Sequence, residues 1–158
     1  MSWWILPTTA DIGLRAFCED AAGALSEAAR GLQEIQMSPK GADSAASLPR
    51  TSDEWTVELA DDDLERGLVR WLEEVLYRGS AEGQWLCEAE VSVADDRVIA
   101  RVEWVDSDLV EREVEVKAIT MHELALMEVV EGQVIPGVDS DIPSFEGPGW
   151  MAQVVFDI

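Results

Sequence analysis

At 158 residues with 47% hydrophobic content, the chain is long enough to bury one ordinary core, and with only two cysteines it falls outside the disulfide-scaffold class. Its 11 basic and 33 acidic residues leave a formal charge of −22, and a surface of that sign repels phosphate, which excludes direct, non-specific RNA binding. Salt adaptation and a basic partner both produce such a balance, so only carboxylates in special positions are informative.

The beginning, Trp3-Trp4-Ile5-Leu6-Pro7, has neither the basic stretch nor the apolar run of a signal peptide. No segment has the length of a membrane span, and the cysteine usage suits a reducing cytoplasm. We read one domain over residues 1–158.

From Trp4 to Cys18 the pattern predicts two short strands around a polar turn, Thr8-Thr9-Ala10-Asp11. Ala22, Leu25, Ala29, Leu32 and Ile35 recur at helical spacing behind the caps Glu19 and Asp20. Residues 37–54, rich in Ser, Pro, Gly, Ala and Asp, are expected to form a long flexible loop. Trp55, Val57 and Leu59 alternate as a strand. Leu64, Leu68, Trp71, Leu72, Val75 and Leu76 make a clean apolar stripe between Asp62 and Gly79, with Asp62 and Glu65 at capping-box spacing.

After Gly83 the period changes to two: Ala89, Val91 and Val93 lead into Asp95-Asp96, and Val98, Ala100, Val102 and Trp104 lead out, a hairpin. Further strands are expected through Val110, Val114, Val116 and Ala118 and from His122 to Val130, followed by a flexible Pro/Gly-rich loop over 132–149. The last segment alternates Trp150, Ala152, Val154, Phe156 and Ile158 against Met151, Gln153, Val155 and Asp157. Two amphipathic helices and about eight strands, several in hairpin order, imply an α+β (mixed α/β) domain with helices packed on a mostly antiparallel or mixed sheet.

Several signatures of catalysis are absent: no Gly-rich phosphate loop, no Cys pairs at zinc spacing, no Gly-x-Ser-x-Gly elbow and no Ca-loop pattern. A single histidine, His122, removes sites that need two imidazoles. On residue chemistry alone Asp11 caps a turn, Asp157 is a solvated carboxylate, Lys117 is an edge lysine among Glu111, Glu113 and Glu115, and His122 is a satisfied structural histidine. Asp139 and Asp141 read as a solvated loop, and the seven Trp as core rather than as a stacking platform for RNA bases.

Three separated stretches carry a resemblance: Thr8-Thr9-Ala10-Asp11-Ile12-Gly13, Val116-Lys117-Ala118-Ile119-Thr120-Met121-His122, and Val154-Val155-Phe156-Asp157-Ile158. In that order they resemble the archease family, whose first motif reads His-Thr-Ala-Asp-Ile/Val-Gly, whose second resembles Lys-Ala-Val/Ile-Thr-Tyr-His, and which ends in Asp followed by Ile or Val. The likeness extends through the helix carrying Trp71-Leu72-Glu73-Glu74-Val75-Leu76-Tyr77 and is weakest over 37–54 and 132–149. Thr8 replaces the family's His and Met121 its Tyr; a hydroxyl hydrogen-bonds but takes no proton near neutral pH.

The resemblance implies a non-catalytic protein cofactor of the RtcB-type RNA ligase, which joins 3′-phosphate or 2′,3′-cyclic-phosphate RNA ends to 5′-hydroxyl ends in tRNA splicing or RNA repair. The family promotes guanylylation of that ligase and its multiple turnover, meeting RNA only through it. It further implies that Asp11 and Asp157, with the α-carboxylate of Ile158, hold a divalent cation, Ca²⁺ ahead of Mg²⁺ or Mn²⁺, and that Lys117, His122 and Thr8 serve ligase activation. Hard carboxylate oxygens suit such ions. Two other readings stand beside this one: a metal-dependent hydrolase using Asp11 and Asp157, and a chaperone-like acidic binding protein.

Overall fold

A computed structural model describes residues 2–6, 11–60, 62–138 and 140–158. Strands β1 (Trp3–Leu6) and β2 (Ile12–Cys18) come first, then helices α1 (Ala21–Gln36) and α2 (Pro39–Ala45), β3 (Thr51–Glu58) and α3 (Leu64–Ala81). The hairpin β4 (Gln84–Ala94) and β5 (Arg97–Asp106) follows, then a 3-10 turn over Ser107–Leu109, and β6 (Ala118–Ile119), β7 (Ala125–Val129), β8 (Val134–Ile135), β9 (Phe145–Glu146) and β10 (Gly149–Asp157). The architecture is α+β, as the pattern implied, with antiparallel pairing within its sheets.

The strands form a five-stranded sheet in the order β1-β2-β10-β6, with β7 also on β10, a three-stranded sheet β3-β5-β4, and the small pair β8-β9. Both long helices touch both larger sheets: α1 packs on β2 and β10 and on β4, while α3 packs on β3, β4 and β5 and on β6 and β7. Leu25, Ala28 and Leu32 of α1 and Leu68, Trp71 and Leu72 of α3 are fully buried, each set recurring at the three- and four-residue spacing of one helical face. The same cluster takes Leu14, Val154 and Phe156 from one sheet and Trp55, Val98 and Ala100 from the other. Burying each such side chain contributes roughly 1.5–3 kcal/mol, so this shared layer dominates the stability. Four of the seven tryptophans, Trp3, Trp55, Trp71 and Trp85, are buried, in keeping with the core role read from their spacing.

Asp20 caps α1, its carboxylate accepting the Gly23 N–H at 2.6 Å. For α3 the cap is Asp63, not Asp62: its carboxylate accepts the Arg66 N–H at 3.2 Å. Asp62 instead takes a left-handed backbone conformation (φ 57°), whereas a capping residue such as Asp63 is extended.

Residues 37–54, expected as a loop, hold α2 and the start of β3. Ser38 caps α2 by accepting the Gly41 N–H at 3.0 Å, and Pro39 opens the helix where a missing N–H costs nothing. Gly41 is a packing glycine, since a Cβ there would stand 2.1 Å from the Glu111 carbonyl oxygen. Within 132–149, likewise expected as a loop, Val134–Ile135 and Phe145–Glu146 pair as β8 and β9.

The strand expected over 110–118 shrinks to Ala118–Ile119, because the preceding backbone bonds elsewhere. Glu111 accepts the Ser38 N–H, and the N–H groups of Glu113 and Val114 donate to the Gln36 carbonyl, satisfying an orphan acceptor at the end of α1. The strand expected from His122 begins only at Ala125, after Glu123 enters the left-handed region (φ 52°). The far face of the five-stranded sheet is also covered: Phe17, Val129 and Met151 form a second small core there, and the Phe145 ring stacks on Phe17 at 4.5 Å. Strand β10 is therefore buried on both faces.

Candidate carboxylate site at the end of the central strand

Everything at this site follows from the register of β10. On one side Phe156 faces Ile12 of β2; on the other Phe156 faces Ile119 and Asp157 faces Ala118 of β6. The first ladder ends at that pair, so Asp11 and Asp157 are the residues that flank its end on the two strands. Phe156 and Leu14 point into the helices, so alternation sends Asp157 and Asp11 to the opposite face. Both are exposed, as is Ile158 at 40%. Gly13 completes this corner, for a Cβ on it would stand 2.7 Å from Leu6 Cδ1.

Like charges directly opposite across a ladder repel unless a cation lies between them. Among the described residues no three His, Cys, Asp or Glu side chains converge elsewhere or here. A cation at this corner would rest on the two aspartates and further oxygens, such as the Ile158 carboxylate, main-chain carbonyls or water. That all-oxygen set matches the chemistry of Ca²⁺ and Mg²⁺ and lacks the imidazole or thiolate that zinc prefers.

Lys117 is tied to the same strand end: its N–H donates to the Asp157 carbonyl at 2.7 Å. It is no cross-strand lysine, since 111–117 is not a strand, and among the described residues its side chain makes no ion pair. It lines a crevice of about 240 Å³ with Gln33 and Gln36 from the end of α1, Gly79 and Ser80 from the end of α3, and Arg112. Helix C-termini carry partial negative charge, so two of them converging favour cations at positions 112 and 117.

His122 is placed differently. The Thr120 N–H and hydroxyl both donate to the Val155 carbonyl, at 3.0 and 2.8 Å, and the His122 N–H donates to the Thr120 hydroxyl at 3.3 Å. Thr120 thus lies beside Val155, but the ladder breaks after it: Ala125 of β7 is the residue opposite Gln153, and His122 sits in the turn between β6 and β7. The imidazole is 73% exposed, 4.0 Å from the Glu123 carboxylate. Thr8 lies outside the described residues.

The sequence reading missed a second layer that holds this turn. The Arg15 guanidinium donates to the Gln153 side-chain oxygen at 3.0 and 2.8 Å and to the Pro136 carbonyl at 3.2 Å, and the Gln153 amide donates to the Glu123 carbonyl at 3.0 Å. Burial lowers the Arg15 pKa from its ordinary value, with the Glu123 charge opposing the shift. A polar pair, Arg15 and Gln153, on the solvent side of two apolar strands was the available signal.

The fold and this corner define a small acidic α+β protein that presents paired carboxylates at the end of a buried central strand. Comparison with known proteins then gives the family. The model of the Archease protein family matches residues 3–158. The curated protein archease of Pyrococcus furiosus is 27% identical over 162 residues, covering 99% of this chain and 98% of its own. The solution structure of Methanobacterium thermoautotrophicum protein 1598 shares the fold with a TM-score of 0.61 at 20% identity, covering 99% of each chain. The chain belongs to the archease family.

Proposed function

We propose that this protein is a non-catalytic cofactor of an RNA ligase, acting on the RtcB-type enzyme by promoting its guanylylation and multiple turnover. The observation that supports the reading is the corner itself: the β2–β10 ladder ends at the pair Phe156 and Ile12, the residues next to Asp157 and Asp11, and the backbone of Lys117 is bonded to Asp157. Three stretches far apart in sequence meet there. A divalent cation, Ca²⁺ first and Mg²⁺ or Mn²⁺ after it, is held by Asp11 and Asp157 with the Ile158 carboxylate. Its chemistry there is to neutralise the repelling carboxylates and to fix the corner as a docking surface.

Lys117 is the cation that this corner offers to the ligase, with His122 and Thr8 at the periphery of the contact. A body carrying −22 is drawn to the basic, RNA-facing side of such an enzyme, which speeds encounter and keeps RNA at one remove. We place the protein in the cytoplasm; among the described residues no helix is long and apolar enough to cross a membrane. The hydrolase alternative gains no general base from the geometry: His122 is 73% exposed in the turn between β6 and β7, and among the described residues no three His, Cys, Asp or Glu side chains converge.

The test is multiple-turnover ligation of 3′-phosphate RNA by the cognate ligase with GTP and Mn²⁺. Wild-type protein is expected to raise turnover, and Asp157→Ala and Lys117→Ala, with unchanged circular dichroism, to lose most of that gain. A folded wild type that leaves the rate unchanged refutes the proposal.

A further inference from the structure

The five-stranded sheet ends in a strand with an unoccupied edge. Among the described residues β1 pairs with β2 alone. The Phe17 N–H donates to the Ser2 carbonyl at 2.9 Å, and these residues are opposite in the register, so Trp4–Arg15 and Leu6–Gly13 are the next hydrogen-bonded pairs. The N–H and C=O groups of Trp3 and Ile5 consequently point off the sheet. Their side chains share the face turned toward α1, where Trp3 is buried beside Gly31 and Ile5 is 53% exposed.

The neighbouring sheet protects its edges. On β4, the carbonyls of Leu86 and Ala89 accept hydrogen bonds from Gln33 and Ser26 of α1, and β3 carries Asp53, Glu54 and Glu58. β1 reads Trp-Trp-Ile-Leu and has no charge of its own. An apolar, uncharged edge is a template for pairing with another chain.

That edge overlooks a groove of about 710 Å³ between β1, α1, α2 and β4, within the size range of built binding sites. Ile35, Met37, Trp85 and Leu86 give it apolar walls; its two arginines, Arg30 and Arg50, are paired with Glu34 and Glu88 of the same lining, while Glu113 at its rim makes no ion pair among the described residues. We infer that β1 and this groove receive an extended segment of a partner protein, alternating apolar and basic residues, which adds to the sheet as a further strand. Main-chain bonds to Trp3 and Ile5 would hold the segment, apolar side chains would fill the groove, and basic ones would meet the rim. The net charge selects among occupants: a second copy brings its own −22, and a nucleic acid brings phosphates, so both are repelled where a cationic peptide is attracted. This surface is separate from the carboxylate corner and its test needs no ligase.

The probe is the peptide acetyl-Lys-Val-Lys-Val-Lys-Val-amide, titrated into the full chain and followed by calorimetry and by the amide resonances of Trp3 and Ile5. Saturable binding is expected, with both resonances shifted and affinity falling as salt rises. Ile5→Lys, a substitution at an exposed position, should weaken binding at least tenfold, Glu113→Gln severalfold, and N-methylation of alternate peptide residues should abolish it. No binding at millimolar peptide, or equal binding of the N-methylated peptide, overturns the inference. So does sedimentation showing a wild-type dimer that Ile5→Lys dissolves, which would assign the edge to a second copy.

Discussion

Asp11 and Asp157 are unremarkable until the register brings together the two strand ends beside which they stand. If a cation relieves their repulsion, it binds the native state and not the unfolded chain, and so stabilises the fold by mass action. Adding Ca²⁺ is expected to raise the melting temperature of the wild type and to leave Asp11→Ala unmoved; equal shifts in both proteins would locate the ion elsewhere. Cys87 offers a second test at this scale. Burial pushes its thiol above the usual range, Arg50 pulls it down less, and Glu88 and Glu103 push it up again. The folded protein therefore holds this proton more tightly than the unfolded chain. That contribution is fully present below the ordinary thiol pKa of about 8.5 and is lost as pH rises from there through the folded value. Stability should fall more steeply above that pH in wild type than in Cys87→Ala, as read by urea unfolding at each pH. Neither effect is visible in a sequence, since one depends on strand register and the other on which wall a cysteine lines.

Among the elements, those with a strong period were legible and those specified by their neighbours were not. The apolar stripes of α1 and α3, the β4–β5 hairpin and β10 stand where the periodicity predicts. α2 was hidden because Pro39 and Gly41 read as breakers, whereas Ser38-Pro39 forms a helix start and Gly41 is required by the Glu111 carbonyl. The segment 110–117 alternates as a strand does, yet spends its N–H groups on the ends of α1 and β10. Capping was legible to within one residue, and the difference is testable. Asp63→Ala should lower stability by about 1 kcal/mol through the lost Arg66 bond. Asp62→Gly should lose nothing, because its left-handed backbone suits glycine. A larger loss at position 62 in urea denaturation would return the cap to Asp62. Of the carboxylate corner, Asp11, Asp157 and Lys117 were legible through motif likeness. The Arg15–Gln153–Glu123 layer was not, since hydrogen bonds across 138 and 30 residues leave no local pattern.

The whole molecule carries three acids for each base, so ion pairing can neutralise at most a third of its carboxylates. The ion pairs formed by the described residues join partners that keep contact with solvent, where each is worth about 0–1 kcal/mol. Self-repulsion is left as a standing cost on the compact state. Because the screening length shrinks from about 30 Å at 0.01 M to about 3 Å at 1 M, raising sodium chloride across that range should lift the melting temperature by several degrees at neutral pH. A flat or falling curve would show that the acids are spaced widely enough not to interact.

Strand β10 has one more consequence, which concerns the order in which the protein is made. The last strand of the chain is the middle of the sheet: β2 binds one side of it, β6 and β7 the other. While residues before 149 emerge from the ribosome, β2 has only β1 beside it and β6 and β7 lack the strand they pair with. Insertion of β10 then closes the long-range contacts together, a late and slow step for so non-local a topology. Asp157 lies on that strand, so the carboxylate corner forms only once β10 has been made and inserted. A chain interrupted before β10 would display neither the centre of the sheet nor the corner proposed to meet the ligase.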